Sequence, residues 1–318
     1  MRFDRPDDGQ AAFRWGACGA SVTGREHQRR GLGCDDAYSF GIAGDFVVAA
    51  VADGAGSVTG TSAWGAWAAC QGVLNDALQP EFIDRYRQCA PGHAERLIRW
   101  LFDSALTRVT RQAETLGLDP TLLSTTLCVG LADRTQAVFA QIGDGVIAAE
   151  HHGQVESLLI EQKDEYANTT SFLQSEGAFE ESYRTVVRGG VTAFALSTDG
   201  MSYKITNVAT GEAYEPFFRD SWQHVRTGAS ADQFAALLRG IEDDQTGDDK
   251  TMVLTAVRPL SEEFAGQSSA FVMDHSAPPG PLQAAGAFGD EDGAVTDPLP
   301  PERGRRHRRR RLWMSRRR

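Results

Sequence analysis

The stretch FVVAAVADGAGS, Phe46–Ser57, constrains this chain more than any other. Seven apolar or small residues, Phe46 to Ala52, end abruptly at Asp53-Gly54, and a helix-like run from Ala63 to Leu78 follows a glycine-rich turn. A short continuous apolar run closed in this way reads as a strand buried on both faces. Asp53 then stands where a buried strand breaks the surface, fixed by the strand and left reachable by the loop. An unpaired carboxylate in such a place is costly unless something positive neutralises it. Asp53 therefore either caps the following turn or holds a cation.

With 318 residues, 41% of them apolar, the chain has material for one large domain or two small ones. No run of about 18 apolar residues occurs, so no transmembrane segment is expected. The opening MRFDRPDDGQ lacks the apolar core of a secretory signal. The five cysteines (Cys18, Cys34, Cys70, Cys89, Cys128) are odd in number and form no C-x-x-C pair. They read as reduced thiols of a cytoplasmic protein. The net charge of −11 conceals an asymmetry. The closing RGRRHRRRRLWMSRRR holds ten arginines and no acid, which leaves 22 basic against 43 acidic residues, or −21, on the first 302. So acidic a body is a poor nucleic-acid binder, whatever the tail does.

Residues 1–11 read as a flexible lead, 12–260 as one domain and 261–318 as a disordered tail. Beyond Pro259, hydrophobic periodicity gives way to Ser, Gly, Ala, Pro and acidic residues, then to arginines. Strands are expected at residues 15–22, 46–52, 125–131, 136–142, 146–150, 184–187, 193–197 and 251–257. Helices are expected at 60–78, 92–116, 212–225 and 231–241, the second with Ala94, Leu97, Ile98, Leu101, Leu106 and Val109 on one face. The segment TGREHQRRGLG reads as a polar turn, and 154–182 as polar and irregular. A long polar insert between strands is usually functional or disordered, so 154–190 reads as a mobile flap beside the site or as a plain surface loop.

Acidic residues recur at the expected strand ends: Asp35-Asp36, Asp53-Gly54, Asp144 within Gly-Asp-Gly, Asp199-Gly200 and Asp248-Asp249. Each alone is ordinary turn chemistry, since Asp-Gly is among the commonest turn dipeptides. All five at strand exits are harder to dismiss. Carboxylates without thiolates or imidazoles suit hard divalent ions, Mg2+ or Mn2+, in oxygen shells. Two such ions about 3.5–4 Å apart can share a carboxylate and activate a water between them.

The series AVADGAGS, STTLCVGLADRTQAVFAQIGDG, FALSTDG and GDDKTMVL, in that order, resembles the metal-dependent protein phosphatases of type 2C, and their compact bacterial branch in particular, with CDDAY before the first motif and EYANTTSFL after the Gly-Asp-Gly turn. The resemblance spans about residues 15–257. It implies an α+β fold, a four-layer α-β-β-α sandwich of two antiparallel sheets flanked by helices, with the metals at one edge. It also implies a phosphoprotein phosphatase that hydrolyses phosphoserine and phosphothreonine with two Mg2+ or Mn2+ ions. Asp53 matches the aspartate that bridges both ions, and Gly54 the residue that offers its carbonyl. Asp199 and Asp248 match two further metal aspartates. Asp35 and Asp36 match an acidic pair acting largely through metal-bound waters, and Asp144 the acid that, with Asp199, holds a third ion in some members. The implied partners are phosphorylated proteins, the substrates of a Ser/Thr kinase.

The sequence departs from that pattern in two places. Asp53-Gly54-Ala55-Gly56 replaces the Asp-Gly-His-Gly of many members, and the arginine that grips phosphate four residues before the acidic pair falls on Gly31. His27, with Arg29 and Arg30 as alternatives, is the candidate phosphate contact, and His27 is also the candidate acid for the leaving oxygen. Two rivals remain. One is a phosphatase fold with weak activity serving as a binding module. The other is a dinucleotide site, suggested by strand, Gly-x-Gly and helix, but opposed by the negative charge of Asp53. The arginine tail has acidic proteins, nucleic acid or an anionic membrane as expected partners.

Overall fold

The computed structural model describes residues 13–56, 60–160, 170–207, 209–228, 230–242, 246–259 and 271–280. The chain opens with β1 (Phe13–Val22), α1 (Arg25–Arg29), β2 (Ala37–Ala43) and β3 (Phe46–Ala52), then three helices, α2 (Ser62–Ala77), α3 (Pro80–Gln88) and α4 (Pro91–Leu116). A meander follows: β4 (Leu127–Ala132), β5 (Ala137–Ile142), β6 (Val146–His151) and β7 (Gln154–Ile160). After α5 (Ala178–Glu181) come β8 (Arg184–Arg188), β9 (Val191–Ser197), α6 (Ser202–Ile205), α7 (Glu215–Thr227), α8 (Ala231–Gly240), β10 (Lys250–Pro259) and β11 (Val272–His275).

The strands form two sheets, ordered β11-β2-β3-β4-β5-β8 and β1-β10-β9-β6-β7, and every pairing is antiparallel. β3 is buried at all seven positions, as its unbroken apolar run requires. Its side chains alternate between two cores. Phe46, Val48, Ala50 and Ala52 face α2, α3 and α4, whereas Val47, Ala49 and Val51 face the other sheet. Between the sheets, Phe194 takes the edges of Trp15 and Phe139, with ring centroids 5.9 and 5.2 Å apart. On the far side α7 and α8 cover the five-stranded sheet through Phe218, Trp222, Phe234 and Leu238. Helices, sheet, sheet, helices: the four-layer sandwich is the observed fold. Because β3 and β4 run antiparallel across α2, the parallel strand–helix–strand unit of a dinucleotide site does not form.

Several elements depart from the sequence reading, β2 among them. The turn after β1 contains a short helix, α1. α3, polar except for buried Phe82, Ile83 and Tyr86, is a further helix. Within the segment read as irregular, Gln154–Ile160 is a strand, β7, paired with β6. Residues 161–169 of the proposed flap lie outside the described residues. Finally β11 adds a strand to β2 within the stretch expected to be disordered. Ser276 follows it, with Oγ accepting from Tyr38 N–H at 2.8 Å and N–H donating to Tyr38 O at 3.0 Å. The described residues all fall within one compact unit, Met1–Leu282, and the arginine tail and residues 1–11 lie outside them. Among the described residues no helix is long and apolar enough to cross a membrane.

Candidate active site

Asp53 leaves the end of β3 with its main chain clamped. Its N–H donates to Thr126 Oγ1 at 3.0 Å, and its carbonyl accepts from Thr126 N–H and Thr125 Oγ1, each at 2.9 Å. Gln174 braces this pair, accepting from Thr125 N–H at 3.2 Å and donating to Leu123 O at 2.6 Å. The carboxylate is thus aimed by bonds in which it takes no part. Beside it, a Cβ on Gly54 would lie 2.7 Å from Asp35 O and 2.9 Å from Ser62, so only glycine fits.

Strand register supplies the neighbours. Ala37 lies opposite Ala52, which sets Asp36 beside Asp53. Val146 lies opposite Ser197, which sets Asp144 beside Asp199 across the other sheet. Asp248 arrives on the loop entering β10. Asp53 is only half-buried by exposed area, yet protein surrounds it closely enough that burial pushes its carboxyl well above the ordinary range. The charges of Asp36, Asp199, Asp248 and Asp144 push it the same way. Burial likewise raises Asp36, with the charge of Asp249 adding to it, although Thr198 Oγ1 donates to Asp36 Oδ2 at 2.8 Å. Burial raises Asp248 too, partly offset by Asp249 N–H donating to its Oδ1 at 2.8 Å. Asp144 accepts from Thr170 Oγ1 at 2.8 Å. Five carboxylates from both sheets therefore converge at one edge of the sandwich and repel one another.

Two acids of the doublets are turned elsewhere. Asp35 accepts from Ser62 Oγ at 2.7 Å; burial raises its carboxyl and this bond lowers it. Asp249 is a buried hub that sequence reasoning named only as part of a doublet. Its Oδ1 accepts from Gly24 N–H at 2.6 Å, and its Oδ2 from Asp35 N–H at 2.6 Å and His27 Nδ1 at 2.8 Å. The hub ties the start of α1, the acidic doublet before β2 and the entry to β10 together. Thr125, Thr126, Thr198 and Ser62 were likewise unassigned. The signal for the first two was their place in STTLC, immediately before β4.

The arrangement gives each candidate phosphate contact a different setting. His27 is buried on α1 with Nδ1 bonded to Asp249, so it braces the loop. Arg29, its side chain 74% exposed, pairs with Glu26 at 3.5 Å on the outer surface. Arg30 is exposed as well, and its charge is felt by Asp35. The charge of His27 is also felt by Asp35 and Asp248.

Oxygen donors alone, crowded so that Asp53, Asp36 and Asp248 are pushed up, are the donor set a hard divalent cation relieves. Among the described residues no three acidic, histidine or cysteine side chains cage an ion unaided. The five acids sense each other's charge across a shared space, and an ion that keeps several of its waters suits such an open shell.

Comparison with solved structures finds the same architecture. A bacterial serine phosphatase and a point variant of it superpose with TM-scores of 0.52 and 0.53 at 14% identity, covering 76% of this chain and 96% of theirs. At that identity the likeness establishes the fold alone. No curated protein sequence matches the chain. A sequence model of the family described as protein phosphatase 2C matches residues 23–239, a span that includes Asp35, Asp36, Asp53, Asp144 and Asp199 and ends before Asp248. Matched over most of its length and folded as a four-layer sandwich with acids at the strand ends, the chain belongs to the protein phosphatase 2C family of serine/threonine phosphatases.

Proposed function

We propose that this chain hydrolyses phosphoserine and phosphothreonine in proteins, using two Mg2+ or Mn2+ ions held by the carboxylates around Asp53. The observation that carries the reading is the convergence of Asp36, Asp53, Asp144, Asp199 and Asp248, with mutual repulsion written into the raised carboxyl of Asp53. In this reading Asp53 and the carbonyl of Gly54 would hold the ions. Asp199 and Asp248 are further ligands, Asp36 acts through water, and Asp144 with Asp199 serves a third ion. Asp35, engaged with Ser62, has one oxygen left for the same purpose.

When bound, the ions supply positive charge for the phosphate and a water acidic enough to attack at neutral pH. Thr125 and Thr126 fix the direction of Asp53, Thr198 that of Asp36, and Thr170 that of Asp144. His27 and Asp249 are positioning residues that hold the two loops in register. We further assign residues 12–260 as the catalytic domain and a reducing, cytoplasmic setting, in keeping with the five free cysteines.

The test is release of phosphate from phosphoserine and phosphothreonine peptides in Mn2+, in Mg2+ and in chelator. Turnover in either metal and none in chelator is expected. Full turnover in chelator refutes the two-metal reading, and no turnover in either metal leaves the binding module as the better account.

A further inference from the structure

A pocket of about 260 Å3 opens beside the acidic centre, between the end of β1, the start of α1, the C-terminal end of α8 and the entry to β10. Arg25, Gln28, Arg239 and Lys250 line it, and Asp248 forms part of its wall. Among the described residues that line it, three cations meet one acid, on a body whose first 302 residues carry −21. Many surface arginines here are paired: Arg87 with Asp45, Arg188 with Glu156, Arg226 with Glu150. Arg25 and Arg239 are both exposed, and neither has a carboxylate partner among the described residues. Lys250 is buried, and its Nζ donates to Ile241 O at 2.7 Å. It therefore fastens the end of α8 to β10 and fixes one side of the pocket.

Asp248 belongs to both places. It lines the pocket, and its charge reaches Asp53. Arg25 opens α1 and Arg239 lies in the last turn of α8, so across the pocket from Asp248 they would meet a residue neighbouring the one hydrolysed. An acidic body repels acidic peptides at long range, and a local cationic pocket restores attraction in one register only.

We propose that this pocket binds a second anionic group of the phosphoprotein substrate, a carboxylate or an additional phosphate close in sequence to the one removed. It selects acidic or multiply phosphorylated segments. The proposal rests on the phosphatase reading for its substrate, and on the pocket alone for its chemistry.

Three phosphothreonine peptides, flanked by alanine, by glutamate or by a second phosphothreonine, test it against the double variant Arg25→Gln/Arg239→Gln. Both side chains are exposed, so the variant should fold. Its KM should rise about fivefold on the glutamate or the doubly phosphorylated peptide, the size two exposed ion pairs supply. KM for the alanine peptide and for p-nitrophenyl phosphate should stay at the wild-type value. Which arm responds identifies the anion as carboxylate or phosphate. An equal change on every substrate, or no change on any, overturns the proposal. Fluorescence anisotropy with a labelled, non-hydrolysable phosphonate analogue of the glutamate peptide gives a readout without turnover. Equal affinity of the two proteins overturns the pocket, whereas absence of wild-type turnover on every substrate overturns only the phosphatase reading.

Discussion

Asp53→Asn separates two effects of one carboxylate. Asparagine has the same shape, and the three bonds that hold position 53 are made by its main chain, so the loop should survive. What changes is charge. Asp53 faces four other carboxylates, and asparagine deletes all four repulsions at once. A buried group left unsatisfied costs about 1–3 kcal/mol, and more when charged, so removing this charge should stabilise the fold by at least about 1 kcal/mol. In a domain of this size each kcal/mol moves the melting temperature by about 2–4 °C. In chelator the variant should therefore melt at least about 2 °C above the wild type. In Mn2+ at a hundred times its Kd the wild type should gain about 2.7 kcal/mol and the variant much less, so the order narrows or inverts. Aryl-phosphate turnover should fall by at least about a hundredfold. The pH dependence follows from the raised carboxyls of Asp53, Asp36, Asp35 and Asp248. The folded state holds protons that the unfolded state releases. Their contribution to stability is complete below the ordinary carboxylate range, near about 4, and is lost as pH rises through the raised values. Melting followed across pH, in chelator and in Mn2+, reads both effects. A variant less stable than wild type in chelator, or an equal Mn2+ shift in both proteins, would refute the argument.

Other perturbations probe the supports. Asp249→Ala strands two main-chain N–H groups and His27 without their acceptor and should cost about 2–4 kcal/mol in urea unfolding; a cost under about 1 kcal/mol would remove Asp249 as a hub. Gly200→Ala would put a Cβ 1.9 Å from Asp249 O, so it should cost about 1–3 kcal/mol and lower turnover through Asp199 and Asp248 together, as melting and kinetics would report. Thr126→Val keeps the shape but removes the acceptor for Asp53 N–H; it should lower kcat with melting shifted by no more than about 1–2 kcal/mol equivalents. Ending the chain after residue 262 removes β11 and Ser276, which should speed hydrogen exchange along Ala37–Ala43 while leaving aryl-phosphate turnover measurable.

Legibility in the sequence followed burial. β3 was readable to the residue because every position is buried and apolar, and α4 because its stripe recurs every three to four residues between Pro91 and Gly117. β2 was not, since Ser39 and Gly41 break its apolar run although the strand is buried almost throughout. β11 has little apolar burial of its own, with Val272 and Met273 both exposed, so its order comes from pairing with β2. The acids were legible as a set because each sits at a strand exit. The environment of His27 was not: a lone histidine in a polar turn carries no sign that a carboxylate 222 residues away will bury it. Nor does local sequence reveal a pocket whose arginines lie on α1 and α8.

The two acidic doublets show how the fold divides work that the sequence leaves undivided. Asp35-Asp36 and Asp248-Asp249 each immediately precede a strand, β2 and β10. Successive side chains in extended backbone point to opposite sides, so a doublet entering a strand cannot send both carboxylates to one place. One member of each reaches the shared centre: Asp36, beside Asp53 through the register of β2 on β3, and Asp248. The other member turns back and binds structure, Asp35 to Ser62 and Asp249 to Gly24, Asp35 and His27. The inward acids are costly to hold together, and the outward ones form the hydrogen bonds that keep them there. A carboxylate accepting two or three short bonds is stabilised where it lies, so Asp249 can anchor loops strained apart by their own charge. Exchanging roles within a doublet should then fail in both directions. Asp248→Asn should weaken Mn2+ binding and spare the chelator-state fold, whereas Asp249→Asn should weaken the fold first. Equal effects of the two changes on melting in chelator would mean that the division argued from strand geometry is wrong.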